Sequence, residues 1–266
     1  MSLIRAQNVE ISKVSHDKLK KRDSGAKSVR VMYDNNAFRV QIDRVRVPFG
    51  VSVYPNPKET NSTEPKKYSI EISLGGSDSM EHFREVLDEI DDMNVSYCAS
   101  NSKAWWGKAM SAEVMKEAEN YKSHVKPDMK GENPPRLKLK LPFYDNKPLF
   151  KVFNMDKKEV SVATKNAEGV WDIDWGWARS GMEIKVIAEC EGLWVINKNI
   201  YCTWKAVQIQ IMDKGSDIRS FAFIDDEEAE PIRPSQKAKP VAKPVELDAE
   251  EDDDDAEYEE EVVEDE

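Results

Sequence analysis

The sequence predicts a mainly β protein with inserted helices, in which an OB-fold-like Greek-key barrel precedes an acidic C-terminal tail. Seven to nine short segments alternate apolar with polar residues, as half-buried strands do. The first of these segments shifts its alternation by one residue, and a helical segment lies between strands without a regular strand–helix–strand rhythm. A strongly bent first strand and an inserted helix are typical of a partly open OB-type barrel.

The first strand shows the shift of phase. Phe38, Val40 and Ile42 alternate with polar residues, whereas Val45 and Val47 carry the apolar side further along. A slip of one residue predicts a β-bulge, which bends a strand and increases its twist.

The clearest helix signal follows the second strand. Residues 68–74 alternate without a fault and meet Gly75-Gly76, which should end the strand. N-cap candidates occupy 77–79, and apolar residues over 80–90 follow helical spacing. A weaker helical pattern covers 111–125. We therefore expect one well-defined helix between strands and a second, less regular one.

Charge divides the chain into two parts. The net charge is −12 over 266 residues, but residues 225–266 carry −16 and residues 1–224 carry +4. A strongly acidic, self-repelling segment cannot form a core. We expect a flexible N-terminal segment over 1–29, an OB-like single-stranded-DNA-binding domain over 30–224 and a disordered acidic tail over 225–266.

Few features point to catalysis. The three histidines are far apart in sequence and are predicted at the surface, and no phosphate-binding loop or nucleophile motif occurs. We expect no metal, no cofactor and no enzymatic activity. Asp172 and Asp174 share a face of a possible strand, which leaves a metal-dependent nuclease as an alternative.

Cysteine usage and hydropathy bear on location. The three cysteines form no closely spaced pair, and no segment resembles a signal peptide or a membrane span. We expect a soluble intracellular protein that does not contact membranes.

Basic and aromatic residues are the more specific signal, because a single strand needs cations for its phosphates and flat rings for its bases. Lys103, Trp105, Trp106 and Lys108 lie together in an expected loop after the helix, although these rings could equally fill the barrel end. Trp171, Trp175 and Trp177 are expected in the core.

A later strand, Arg136–Leu141, alternates three cations with three leucines. Arg136, Lys138 and Lys140 share one face at intervals of about 6.7 Å, close to the phosphate repeat of an extended strand. Phe143 and Tyr144 follow directly and could stack on bases. A solvated surface would give the same pattern.

Two final strands are expected over 182–190 and 200–212. If Val207 and the isoleucines after it face the core, Trp204 lies on the polar face beside Lys205. A large ring on a polar face suggests base stacking, with a covering loop as the alternative.

One segment carries a resemblance to a known family. Residues Gly192-Leu-Trp-Val-Ile-Asn-Lys-Asn-Ile-Tyr-Cys-Thr-Trp-Lys-Ala-Val-Gln-Ile-Gln210 resemble the last strand pair of single-stranded-DNA-binding proteins from large nucleocytoplasmic DNA viruses. The resemblance implies an OB-fold core that acts in viral DNA replication, repair or recombination, in the host cytoplasm or nucleus. The chain's acidic end lacks the hydrophobic tip of bacterial and phage tails.

The function that we predict is non-catalytic binding of single-stranded DNA, with RNA as an alternative ligand. The tail would compete for the same groove as an intramolecular polyanion and could recruit replication or repair proteins. The alternative is an acidic scaffold, similar to a histone chaperone, that binds basic partners. The sequence gives no prediction for the oligomeric state of the protein.

Overall fold

The protein is described from a computed structural model over residues 3–22, 25–54, 67–144, 147–167, 171–196 and 199–213. The tail predicted over 225–266 lies outside these residues, and so does the predicted boundary at 224.

Within the described residues the helices are α1 (Asp78–Trp106) and α2 (Ala112–Glu117), and short 3-10 turns occur at Ala6–Asn8 and Ile11–Lys13. The strands are β1 (Leu3–Arg5), β2 (Val14–His16), β3 (Lys20–Lys21), β4 (Lys27–Val29), β5 (Val31–Tyr33), β6 (Asn36–Ala37), β7 (Arg39–Arg46), β8 (Val51–Tyr54), β9 (Lys67–Ser73), β10 (Tyr121–Lys122), β11 (Val125–Lys126), β12 (Arg136–Leu141), β13 (Phe143–Tyr144), β14 (Lys147–Pro148), β15 (Lys151–Phe153), β16 (Glu159–Val160), β17 (Ala163–Lys165), β18 (Trp171–Ile173), β19 (Glu183–Ile196) and β20 (Asn199–Asp213).

The strands of the main sheet follow the order β7–β19–β20–β12–β9–β8. The two end strands, β7 and β8, are consecutive in the chain and correspond to the two halves of one bent strand. The sheet therefore closes into a barrel, and its six strands count as five. Strands β12 and β20 pair in parallel, whereas the other neighbours in this ring are antiparallel. A five-strand ring of this connectivity is a Greek-key OB-type barrel, so the predicted mainly β fold class is confirmed.

The predicted bulge in the first strand is confirmed. The pairing of β7 with β19 shifts between Ile42 and Val45, both of which are buried. The strand then bends at Gly50, which has a φ of 77°. A Cβ at Gly50 would lie 2.9 Å from the carbonyl oxygen of Ala178, so glycine is required on both grounds.

Helix α1 begins as predicted and ends later than predicted. The hydroxyl of Ser77 accepts a hydrogen bond from the backbone N–H of Met80 at 3.3 Å, which is N-cap geometry. Buried residues continue along the helix as far as Trp105, and Gly107 ends it in the left-handed region.

The second helix is much shorter than the 111–125 pattern predicts. Glu119 adopts a φ of 51°, which stops α2, and Tyr121–Lys122 instead pairs with β20 in parallel. Strand pairing has here overridden a weak helical pattern.

The N-terminal segment contributes strands to the sheets. Strand β1 pairs with β7, β4 pairs with β19, and Ala6 and Val29 are fully buried. The described residues of 1–29 therefore include strands and buried side chains that the sequence did not predict, and the flexibility of this segment stays a prediction. Its apolar residues keep neither a strand period nor a helix period over more than a few residues, so the strands are not evident from the sequence.

A buried polar network fixes α1 to the barrel. The carboxylate of Asp91 accepts hydrogen bonds from the hydroxyls of Tyr121 and Ser123, and its Oδ1 lies 2.9 Å from Nδ1 of His124. His124 is only 6% exposed, so the prediction of a surface histidine is wrong for this residue. The sequence could not show this because Asp91 and His124 lie on different elements.

The network shifts the pKa values of both charged partners. Burial alone would lower the pKa of His124, but the charge of Asp91 outweighs it and raises that pKa to about 10. Burial would raise the pKa of Asp91, yet the imidazolium and the hydroxyl donors hold it below its usual value. The pair is therefore charged at neutral pH.

This pair predicts a pH-dependent stability. The pKa of His124 is raised on folding, so its contribution is complete below the unfolded value near 6.5 and is lost as pH rises through about 10. We expect His124→Gln to lose about 3 kcal/mol of unfolding free energy at pH 6 and less at pH 10, measured by urea unfolding.

The matched control is His82→Gln, because His82 is exposed and its Nδ1 lies 3.8 Å from Oε2 of an exposed glutamate, Glu85. The control should change stability little at any pH. A loss in His124→Gln that is the same at pH 6 and pH 10 would contradict the assignment of a charged pair.

Candidate functional site

The three cations of β12 lie on the outer face of the barrel. The leucines between them are buried in the core, whereas Arg136, Lys138 and Lys140 are half-buried on the opposite face. The alternation predicted for this strand is confirmed. Since outward residues on a strand are about 6.7 Å apart, the cations form a row along β12.

Two of these cations are held against aromatic rings. Nζ of Lys138 lies 4.3 Å from the ring centroid of Tyr54. The guanidinium of Arg136 lies 5.0 Å from the centroid of Phe49, and its Nε lies 3.2 Å from Oε2 of Glu71. Cations at these distances interact favourably with the ring faces.

The third cation meets the neighbouring strand. The parallel register places Lys140 beside Lys205 of β20. Nζ of Lys140 lies 3.1 Å from Oε2 of Glu191, and Nζ of Lys205 lies 3.3 Å from Oε1 of Glu189. Nζ of Lys140 also lies 5.8 Å from the ring centroid of Trp194. Adjacent strands thus bring cations, carboxylates and a ring together.

We call this surface the cationic face. It consists of the cations Arg136, Lys138, Lys140 and Lys205 together with the rings of Phe49, Tyr54 and Trp194. It can contact phosphate oxygens through its cations and flat apolar groups through the rings of Phe49 and Tyr54.

Sequence reasoning missed the three rings of the cationic face. Phe49 is 61% exposed, and Trp194 is mostly covered, with the guanidinium of Arg22 at 5.6 Å from its centroid. The antiparallel pairing of β8 with β9 places Tyr54 on the same side as β12's cations. The alternation around Tyr54 is the one sequence signal that could have placed a ring on this face. The position of Trp194 follows only from the pairing between strands.

Trp204 does not lie on this face, so the prediction of an exposed stacking ring is wrong. It is 1% exposed and packs against Phe38 and His124, with ring centroids 5.2 Å and 6.2 Å away. The cause is a bulge, because the pairing with β19 passes over Val207. One extra residue reverses the faces, so alternation extended backwards from Ile211 assigns Trp204 to the wrong side.

The predicted loop from Lys103 to Lys108 is not open: α1 continues through Trp106, and Gly107 caps the helix. Trp105 is 9% exposed and packs against Trp106, with ring centroids 5.5 Å apart, which contradicts a stacking role for Trp105 in this conformation. Trp106 is half-buried, and Lys103 and Lys108 are exposed. Nζ of Lys27 donates to the carbonyl of Trp105 at 2.7 Å, which ties this helix end to β4.

Phe143 and Tyr144 have different surroundings. Phe143 is half-buried in an aromatic cluster, with ring centroids 4.8 Å from Tyr68 and 5.9 Å from Trp175. Tyr144 is 57% exposed. Trp177 is buried, as predicted. Tyr144 is therefore the accessible ring of the predicted pair.

Among the described residues, no group of three or more histidine, cysteine or acidic side chains is arranged to hold a metal ion. None of their helices combines the length and apolar character that crossing a membrane requires.

Comparison with family models places residues 78–225, more than half of the chain, in a family described as "Family of unknown function (DUF5871)". The chain belongs to this family. The match begins at the first residue of α1 and includes β12, β19 and β20. No curated protein matches the chain.

Solved structures give distant likenesses. A single-stranded DNA-binding protein from bacteriophage Enc34, in complex with ssDNA, is 14% identical over 76% of this chain and 96% of that chain, with a TM-score of 0.37. Gp2.5, a single-stranded DNA-binding protein encoded by bacteriophage T7, is 10% identical over 73% of this chain and 98% of that chain, with a TM-score of 0.40. The narrower resemblance to proteins of large nucleocytoplasmic DNA viruses stays a prediction.

Proposed function

We propose that the protein binds single-stranded DNA on the cationic face, without making or breaking a bond. The observation that carries this proposal is the register of β12 with β20, which places Lys140 beside Lys205 on the outside of the barrel. Lys138 and Arg136 extend the row, and rings lie against both of them. Extended single strands need such interleaved cations and rings, since their phosphates repeat and their bases are unstacked.

The rings favour a single strand over a duplex. Phe49 is exposed and Tyr54 is half-buried, so each offers part of its surface to a base. Paired bases within a duplex cannot stack on protein rings, whereas unstacked bases gain about 1–3 kcal/mol each from such stacking. Tyr144, beyond the end of β12, extends the accessible aromatic surface.

Carboxylates moderate the charge of this face. Glu71, Glu189 and Glu191 each lie within 4.0 Å of at least one cation of the face. The cations are thereby held in place, but part of their charge is neutralised before any ligand binds. Moderate affinity with a marked dependence on salt follows from this arrangement.

The acidic tail completes the proposal. Residues 225–266 carry a net charge of −16, and residues 1–224 carry +4. On a flexible linker the tail would reach about millimolar effective concentration at the cationic face and compete with DNA there. A tail displaced by DNA would be free for replication or repair proteins. We further propose a role in DNA replication, repair or recombination, with a viral setting as the narrower proposal.

The cations of the face can be tested one at a time. We expect Lys138→Gln to weaken binding of labelled oligo-dT severalfold and to make the slope of log K against log salt shallower by about 0.7, because one phosphate contact is lost. Fluorescence anisotropy over a salt series measures both quantities.

The matched control is Lys151→Gln, because Lys151 is an exposed, ion-paired lysine on β15. It should leave affinity and slope close to those of the wild type. Equal effects of Lys138→Gln and Lys151→Gln would count against the cationic face as the site.

Tyr54→Leu should weaken binding of oligo-dT and leave the slope of log K against log salt unchanged.

A further prediction concerns the tail. Truncation to residues 1–224 should tighten binding of oligo-dT, with the largest gain at low salt, because competition between the tail and DNA is electrostatic. Equal affinity of the two forms would disprove the competition. If neither form binds DNA at low salt, and the full chain instead binds basic proteins, the acidic-scaffold alternative is favoured.

A further inference from the structure

Glu191 lies at the centre of three donors on the cationic face. Its Oε2 is 3.1 Å from Nζ of Lys140 and accepts a hydrogen bond of 3.1 Å from the hydroxyl of Thr203. Its Oε1 is 3.9 Å from Nζ of Lys205. The side chain is only 12% exposed, so these donors surround the carboxylate.

The backbone fixes Glu191 in this position. It is the extra residue of a bulge in β19, because Cys190 pairs with Trp204 and Gly192 pairs with Thr203. Gly192 has a φ of 107°, and a Cβ there would lie 2.1 Å from the carbonyl oxygen of Val29. Strand β4 thus packs directly on the bulge, and only glycine permits that approach.

We propose that Lys140, Lys205 and Thr203 form a subsite for one phosphate group of the bound strand, and that Glu191 occupies it when no nucleic acid is present. This inference rests on the proposed function and adds a residue that regulates it. Two ammonium groups and a hydroxyl that converge on one anionic group make a site of the kind that phosphate oxygens use.

The carboxylate and a phosphodiester cannot occupy this subsite together. Both are anions that accept hydrogen bonds from the same three donors, and like charges this close repel each other strongly where little water screens them. The bound strand must therefore displace the Glu191 side chain. Displacing the Glu191 side chain costs free energy whichever strand binds. A strand that makes few other contacts with the protein cannot offset this cost, so it binds most weakly.

The test is Glu191→Gln in the full chain, assayed by anisotropy with labelled oligo-dT. The amide keeps the size of the side chain and removes its charge. We expect binding to become about fivefold tighter and the salt slope steeper by about 0.7, because one more net positive charge meets a phosphate.

The matched control is Glu159→Gln, which also removes a carboxylate from a lysine, but from Lys151 on β15, which is not among the residues that define the cationic face. The control corrects for the change in net charge. A gain in Glu191→Gln no larger than that of Glu159→Gln overturns the inference, and so does weaker binding, which would make Glu191 a residue that positions the lysines.

Two further variants complete the test. Lys140→Gln removes one donor, so adding Glu191→Gln to it should give a smaller gain than in the wild type. Glu191→Ala should also tighten binding, and it replaces Glu191→Gln if thermal melting shows that the latter is destabilised. Binding by the wild type with no gain in either Glu191→Gln or Glu191→Ala overturns the subsite alone, whereas no binding by any form overturns the proposed function.

Discussion

The parallel pairing of β12 with β20 determines both the barrel and the candidate site. One register places Leu139 and Trp204 on the inside and Lys140 and Lys205 on the outside. The same backbone hydrogen bonds therefore close the core and assemble the cations. A shift of β20 by one residue would bury Lys205 and expose Trp204, so the apolar core fixes the arrangement of the charged surface.

Helix α1 is an insertion between β9 and β12, and a separate interaction holds it in place. Asp91 on the helix meets His124 and Tyr121, which lie on the segment that leads to β12. Each hydrogen bond of this buried carboxylate offsets part of its desolvation. The network lies inside the protein and the cationic face outside, so stability and ligand binding depend on different ionic groups.

The sequence predicted local features better than pairing between strands. The bulge between Ile42 and Val45 and the alternation of β12 follow from residues adjacent in sequence, and the structure confirms both. The prediction for Trp204 was wrong because β20 has a bulge at Val207. The alternation of apolar and polar residues in the sequence does not reveal this bulge. The glutamates of the cationic face and the ring of Trp194 come from other strands. Their positions follow from register, which one sequence does not specify.

The central claim is that single-stranded DNA occupies the cationic face, and lysine footprinting tests it most directly. The full chain would be acetylated with and without oligo-dT, and the modified lysines quantified by mass spectrometry. We expect DNA to protect Lys138, Lys140 and Lys205 and to leave Lys151 unchanged. Protection at Lys103 and Lys108, with none at Lys138, Lys140 or Lys205, would contradict the account and move the site to the end of α1.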